Sequence, residues 1–191
     1  VNRFTGTILG AWFLISAFIP WAVPVFTMPA PEGDFSIGSE TFHWVDSSRL
    51  EWFTDENDND VREIMVQAWY PSENSDSIGT NSYMDFINLR SKTLASAGKI
   101  PAFLPSHLNM ISTNTRNDVA CSNKLEKYPV LIFSHGITGS RHLHQILFEH
   151  LASKGYIVFA LDHSFDANLT IFPDGKIAEY RSEITGHPDS V

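Results

Sequence analysis

Hydrophobic and polar positions alternate with a different period in each part of the chain. From Phe4 to Pro31 no side chain is charged, and "TILGAWFLISAFIPWAVPVF" is almost wholly apolar. About 20 such residues at about 1.5 Å each match a hydrocarbon layer of about 30 Å. Trp12 and Trp21 fall near the edges of that run, and Arg3 suits a cytoplasmic end. Residues 1–31 therefore read as a membrane anchor. A cleaved signal segment and a buried core helix are the alternatives, since Pro20 and Pro24 interrupt a helix and no clean A-x-A pattern follows. "MPAPEGDFSIG" (Met28 to Gly38) is a Pro/Gly-rich hinge, and a second unit, residues 32–191, begins there.

Beyond the hinge the period changes. "SETFHWV" and "REIMVQAWYP" are rich in β-branched and aromatic residues and predict two strands, joined by the acidic loop "DSSRLEWFTDENDND". Ser72 to Ser82 reads as an exposed loop. Met84, Ile87 and Leu94 have helical spacing within Tyr83 to Ala97. Val130 to Phe133 is a continuous apolar run, expected of a strand buried on both faces. A helix follows over Ser140 to Lys154, with Leu143, Ile146, Leu147 and Leu151 on one stripe, Ser140 as N-cap and Gly155 at its stop. Tyr156 to Leu161 is the next apolar run. Strand, helix and strand at this spacing form a βαβ unit with parallel strands, which places the domain in the α/β class. "FPDG" (Phe172 to Gly175) is a turn that joins two short strands of a hairpin.

Composition narrows the function. The chain is 43% hydrophobic and 18% charged, as in a folded globular domain, and its formal net charge of −9 with no Lys/Arg cluster argues against nucleic acid as a partner. Cys121 is the single cysteine and is read as a spectator. His135, His142, His144, His150 and His163 lie close together, but no H-E-x-x-H pair occurs and His142 and His144 point apart on a helix. They are read as turn and surface histidines. "DENDND" starts like an EF-hand loop but has Asp60 where glycine is wanted and Val66 where glutamate is wanted, so it is an exposed acidic turn. Neither a metal nor any other cofactor is expected.

The chemistry concentrates in "SHGITG", between the Val130 strand and the following helix. α/β-Hydrolases build half of their oxyanion hole at such a turn, where a fixed backbone N–H faces the oxygen of a carbonyl under attack. In "HGI" the donor is the N–H of Ile137, with His135 and Gly136 shaping the loop. A plain βα turn containing His-Gly is the alternative. "PVLIFSHGITGSRHLHQILFEHLASKGYIVFALDH", "TIFPDGK", "GSETFHWVDSSR" and "REIMVQAWYPSE" together resemble the platelet-activating factor acetylhydrolase family of α/β-hydrolases over about Phe35 to Tyr180.

That resemblance implies a metal-free serine hydrolase that removes short or oxidised acyl groups from phospholipids. Its partners would be a small-molecule lipid ester and a membrane surface. No G-x-S-x-G elbow occurs, however: two places away Ser134 is flanked by Ile132 and Gly136, Ser140 by Thr138 and His142, and Ser164 by Asp162 and Asp166, so none has small residues on both sides. The sequence thus predicts the N-terminal half of an α/β-hydrolase fold, a mostly parallel sheet with flanking helices. It is preceded by the apolar segment and ends before the nucleophile elbow, so nucleophile, acid and base lie outside it. The 191 residues would be inactive alone, and residues 32–191 extracytoplasmic, in a membrane-anchored or secreted protein. A dienelactone-hydrolase-like or general carboxylesterase, and a non-catalytic module binding a lipid or partner, are the other readings.

Overall fold

The computed structural model of the chain describes residues 2–22, 25–54, 59–73 and 81–181. Pro24, most of the acidic turn Asp55 to Asp60 and most of the Ser72 to Ser82 loop lie outside the described residues. The apolar N-terminal run forms α1 (Arg3–Ala22). Among the described residues no helix is long and apolar enough to cross a membrane. The apolar run of α1 is interrupted in its first half, next to Arg3. Thr5, Gly6, Thr7, Gly10 and Ser16 dilute it. The reading of residues 1–31 as a membrane span is overturned, and the localisation inferred from it goes with it.

A five-stranded sheet carries the rest. It contains β1 (Ser36–Leu50), β2 (Val61–Ser72), β3 (Thr115–Arg116), β4 (Val130–Ser134) and β5 (Ile157–His163). Their order is β3-β1-β2-β5-β4. β1 pairs antiparallel with β2, and β2 antiparallel with β5, whereas β4 and β5 are parallel, as are β1 and β3. The expected mostly parallel, N-terminal half-sheet is therefore corrected to a mixed sheet with flanking helices. This α/β-hydrolase-like arrangement spans nearly the whole described chain. The reason is connectivity: β1 returns into β2 through a short loop, which forces an antiparallel pair. Only a long crossover such as that from β4 to β5 allows a parallel one.

The crossover holds α4 (Gln145–Ser153), shorter than the sequence predicts. Ser140 does not cap it: His144 precedes the first turn, with no side-chain cap. The buried face is also not the leucine stripe. Gln145, Phe148, Glu149 and Ala152 face the sheet, while Leu143, Ile146 and Leu147 are about half exposed. Phe148 decides this orientation, because its ring packs on Trp69 at 5.0 Å and on Phe133 at 4.9 Å between centroids. Ile37, Trp69, Val158 and Ala160 of the sheet complete that core. Gln145 donates to Glu149 at 3.0 Å, and Asn114 donates to the same carboxylate at 2.8 Å, so both oxygens of the buried Glu149 carboxylate are partnered.

β4 is an edge strand, not a strand covered on both faces. Ile132 is 75% exposed and Val130 54%. α2 (Ile87–Gly98) and α3 (Phe103–Ser106) lead through a 3-10 turn to β3. The predicted hairpin is present, with β6 (Leu169–Ile171) antiparallel to β7 (Ile177–Glu179) across the "FPDG" turn. Gly175 takes φ +88° there, which a side chain would strain. Phe165, Phe172 and Ala178 pack on Met65 as a second core.

Candidate active site

β4 and β5 end side by side, and their carboxyl ends carry the site. That is where open α/β sheets place their ligands. Residues 135–139 leave β4 in a tight turn closed by the Gly139 N–H donating to the Gly136 carbonyl at 2.9 Å. Thr138 sits in the left-handed region at φ 57°, and its N–H donates to the Asp166 carbonyl at 3.1 Å. The Gly139 carbonyl accepts from Asn168 N–H at 2.9 Å. The turn is therefore fastened at two points to the loop that follows β5.

The glycines divide the work. A Cβ on Gly136 would meet nothing within 4 Å, so the backbone there is open to an approaching molecule. A Cβ on Gly139 would lie 2.8 Å from the Gly136 carbonyl oxygen. Gly139 is thus the glycine that the turn requires, and its signal was the second glycine of "HGITG". Ile137 is 60% exposed.

Three polar side chains line this shelf. Ser134 Oγ and His163 Nε2 are 2.7 Å apart. His163 N–H donates to His135 Nε2 at 3.1 Å, and His135 Nδ1 lies 2.7 Å from the Gly136 carbonyl oxygen. The serine–histidine contact has the distance of a nucleophile and its base, but among the described residues no carboxylate hydrogen-bonds the other nitrogen of His163. The other two serines are occupied or hidden: Ser164 donates to the Glu63 carbonyl, and Ser140 is buried. Of the five clustered histidines, the fold brings His135 and His163 together, at 5.2 Å between rings, and sends His144 against Phe133. Among the described residues no group of three or more His, Cys, Asp or Glu side chains is placed to hold a metal ion.

Beneath the shelf lies a charged network that sequence reading missed. Asp162, fully buried on β5, accepts from Arg141 N–H at 2.7 Å and from the Arg141 guanidinium. Arg141 also reaches Asp85, which accepts from Arg90 Nε at 2.8 Å, and Arg90 donates to the Leu169 carbonyl at 2.6 Å. His142 Nε2 lies 3.4 Å from Asp85. These residues come from three distant segments, so no local pattern could announce them. Arg141 follows the 135–139 turn directly and ties it to β5.

The network sets a pH dependence. Burial pushes the His142 imidazole well down, Arg141 and Arg90 add to this, and Asp85 opposes it. His163 is also lowered, by burial first and by His135 next. Burial pushes the Asp85 carboxyl up, but Arg141, His142 and Arg90 outweigh it and hold it at about 2. Below the ordinary histidine value the unfolded chain takes up protons that the fold refuses, so stability falls as pH falls. His142 contributes up to about 1.4 kcal/mol per pH unit in that range. The Asp85 contribution is present above the ordinary carboxylate value and is lost as pH drops toward about 2. Urea midpoints at pH 7.5 and pH 5.5 check this: the lower pH gives the lower midpoint, and equal midpoints would contradict a neutral, buried His142.

The larger concavities lie elsewhere. One of about 480 Å³ is lined by Gln67, Asn81, Asp85 and His142, and another of about 550 Å³ by Pro29, Leu143 and Ile146. Neither takes a lining residue from 134–137. The site is an open shelf.

A model of the family described as platelet-activating factor acetylhydrolase, isoform II, matches residues 23–183. The chain belongs to that family. It is similar to the platelet-activating factor acetylhydrolase of Cavia porcellus, with 29% identity over 163 residues, 80% of this chain and 33% of the relative. A probable 1-alkyl-2-acetylglycerophosphocholine esterase of Arthroderma benhamiae is 25% identical over 182 residues, 90% of this chain and 46% of the relative. Among solved structures, a ferulic acid esterase from Streptomyces cinnamoneus superposes with a TM-score of 0.62 at 30% identity, covering 81% of this chain and 41% of the esterase. The acetylhydrolase-family chain thus spans about a third to a half of the length of these relatives. Its membership places it in the α/β-hydrolase superfamily.

Proposed function

We propose that this chain supplies the oxyanion half-site of a serine esterase acting on short or oxidised acyl esters of phospholipids, met at a lipid surface. The observation that carries the reading is the 135–139 turn at the carboxyl end of β4, with the Ile137 N–H beside an open Gly136. His135 and Gly136 shape the loop. Nucleophile, acid and base come from outside these 191 residues, since the sequence holds no G-x-S-x-G. The names of the Cavia and Arthroderma relatives support a phospholipid ester as substrate. The likeness to a ferulic acid esterase supports a second reading, a carboxylesterase for soluble aromatic esters.

Two measurements test this. A fluorophosphonate probe, which reacts with activated serines, is expected to leave the 191-residue chain unlabelled, because Ser134 sits outside an elbow and its neighbour His163 has no carboxylate partner among the described residues. Stoichiometric labelling at Ser134 would place a nucleophile within the chain. For the substrate, kcat/KM of an active enzyme carrying these residues is compared for a short-acyl phospholipid in vesicles and for methyl ferulate. Preference for the phospholipid is expected, and the reverse order establishes the second reading.

A further inference from the structure

The 135–139 turn contains a relay that sets the direction of one peptide. In a trans peptide the carbonyl and the following N–H point in opposite directions. The Gly136 carbonyl and the Ile137 N–H belong to one such unit, so whatever holds the carbonyl aims the N–H. Two donors converge on that carbonyl, Gly139 N–H at 2.9 Å and His135 Nδ1 at 2.7 Å. Both lie within the turn, so the Ile137 N–H faces outward. Among the described residues it makes no hydrogen bond.

The partners also decide the His135 tautomer. A carbonyl oxygen only accepts, so Nδ1 carries the proton. A backbone N–H only donates, so Nε2, which receives the His163 N–H at 3.1 Å, is bare. The imidazole therefore bridges the β5 backbone to the Gly136 carbonyl and uses both nitrogens. Ser134 Oγ on His163 Nε2 at 2.7 Å steadies the neighbouring ring.

We propose that His135 is a positioning residue: as the Nδ1–H tautomer, braced by the His163 backbone N–H, it locks the Gly136–Ile137 peptide so that the Ile137 N–H points at the reacting carbonyl. This rests on the reading of Ile137 as the oxyanion donor. The relay explains why a histidine precedes the glycine, since a side chain is needed that donates at one end and accepts at the other.

The test combines spectroscopy on the 191-residue chain with kinetics of an active enzyme carrying it. Long-range ¹H–¹⁵N correlation is expected to show His135 protonated at Nδ1 and bare at Nε2; the opposite tautomer overturns the relay. His135→Phe, which cannot donate, is expected to shift the Ile137 amide resonance and to lower kcat by roughly 10²-fold through misalignment, with KM little changed. His135→Asn places an N–H near the position of Nδ1 and is expected to restore most of both readouts. His135→Gln, whose donor sits near the position of Nε2, is not. Equal turnover for Phe, Asn and Gln variants that are folded by near-ultraviolet circular dichroism overturns the proposal. Ile137→Pro separates the two levels. If it abolishes turnover while His135→Phe does not, the donor stands and the relay falls; if it leaves turnover intact, the oxyanion reading itself falls.

Discussion

Replacing Asp162 with alanine is expected to cost about 3–5 kcal/mol of folding stability, as when one partner of a buried ion pair is removed. The Asp162 side chain is fully buried and accepts from the backbone and the guanidinium of Arg141, with Arg90 Nη2 at 3.7 Å. Without it, two buried guanidinium groups share the single carboxylate of Asp85. Against a total of about 5–15 kcal/mol for an ordinary domain, this is a large fraction. Urea denaturation measures it as a drop in midpoint at unchanged slope. Asp162→Asn keeps an acceptor at Arg141 N–H and is expected to cost less. Arg141→Met, combined with Asp162→Leu, should recover part of the loss of either single variant, because the apolar pair leaves no lone charge at that contact. A loss under about 1 kcal/mol for Asp162→Ala would show that Asp85 alone satisfies both arginines.

Ile137→Pro is expected to lower the turnover of an active enzyme carrying these residues by roughly 10²- to 10³-fold, the usual effect of removing one oxyanion donor. Proline lacks the N–H, and Ile137 is absent from the residues with positive φ, which proline could not adopt. Ile137 is also the second residue of the turn that Gly139 N–H closes onto the Gly136 carbonyl, a position proline commonly takes. Ile137→Ala keeps the N–H and trims a side chain that is 60% exposed, so it should retain most activity. Steady-state kinetics on both variants, with folding checked by circular dichroism, decides the matter. A folded proline variant with undiminished turnover would exclude Ile137 as donor.

Local chemistry was readable before the fold was known. The β1 and β2 runs, the βαβ crossover from β4 to β5 and the "FPDG" hairpin all depend on residues near one another in sequence, and each lies where the periods place it. The "SHGITG" turn was legible for the same reason. Its donors and acceptors are backbone groups that glycine positions within a few residues.

Where a surface faces, by contrast, depends on what the rest of the chain leaves to cover. The apolar run of β4 suggested burial on both faces, yet the strand lies at the sheet edge because β5 pairs with it on one side only. The leucine stripe of α4 suggested the core, yet Phe148 wins that place by filling the space against Trp69. The apolar stretch near the N-terminus had the composition of a membrane span, but among the described residues no helix is long and apolar enough to cross a membrane. The Asp85–Arg90–Arg141–Asp162 network and the His135–His163 contact join segments far apart in sequence. By itself the sequence determined the β1 and β2 runs, the βαβ unit and the turn that carries the candidate chemistry, since short-range hydrogen bonding and periodicity are encoded residue by residue. Tertiary structure alone decided the mixed sense of the sheet, the exposed edge and the buried charges, since those follow from which distant surfaces meet.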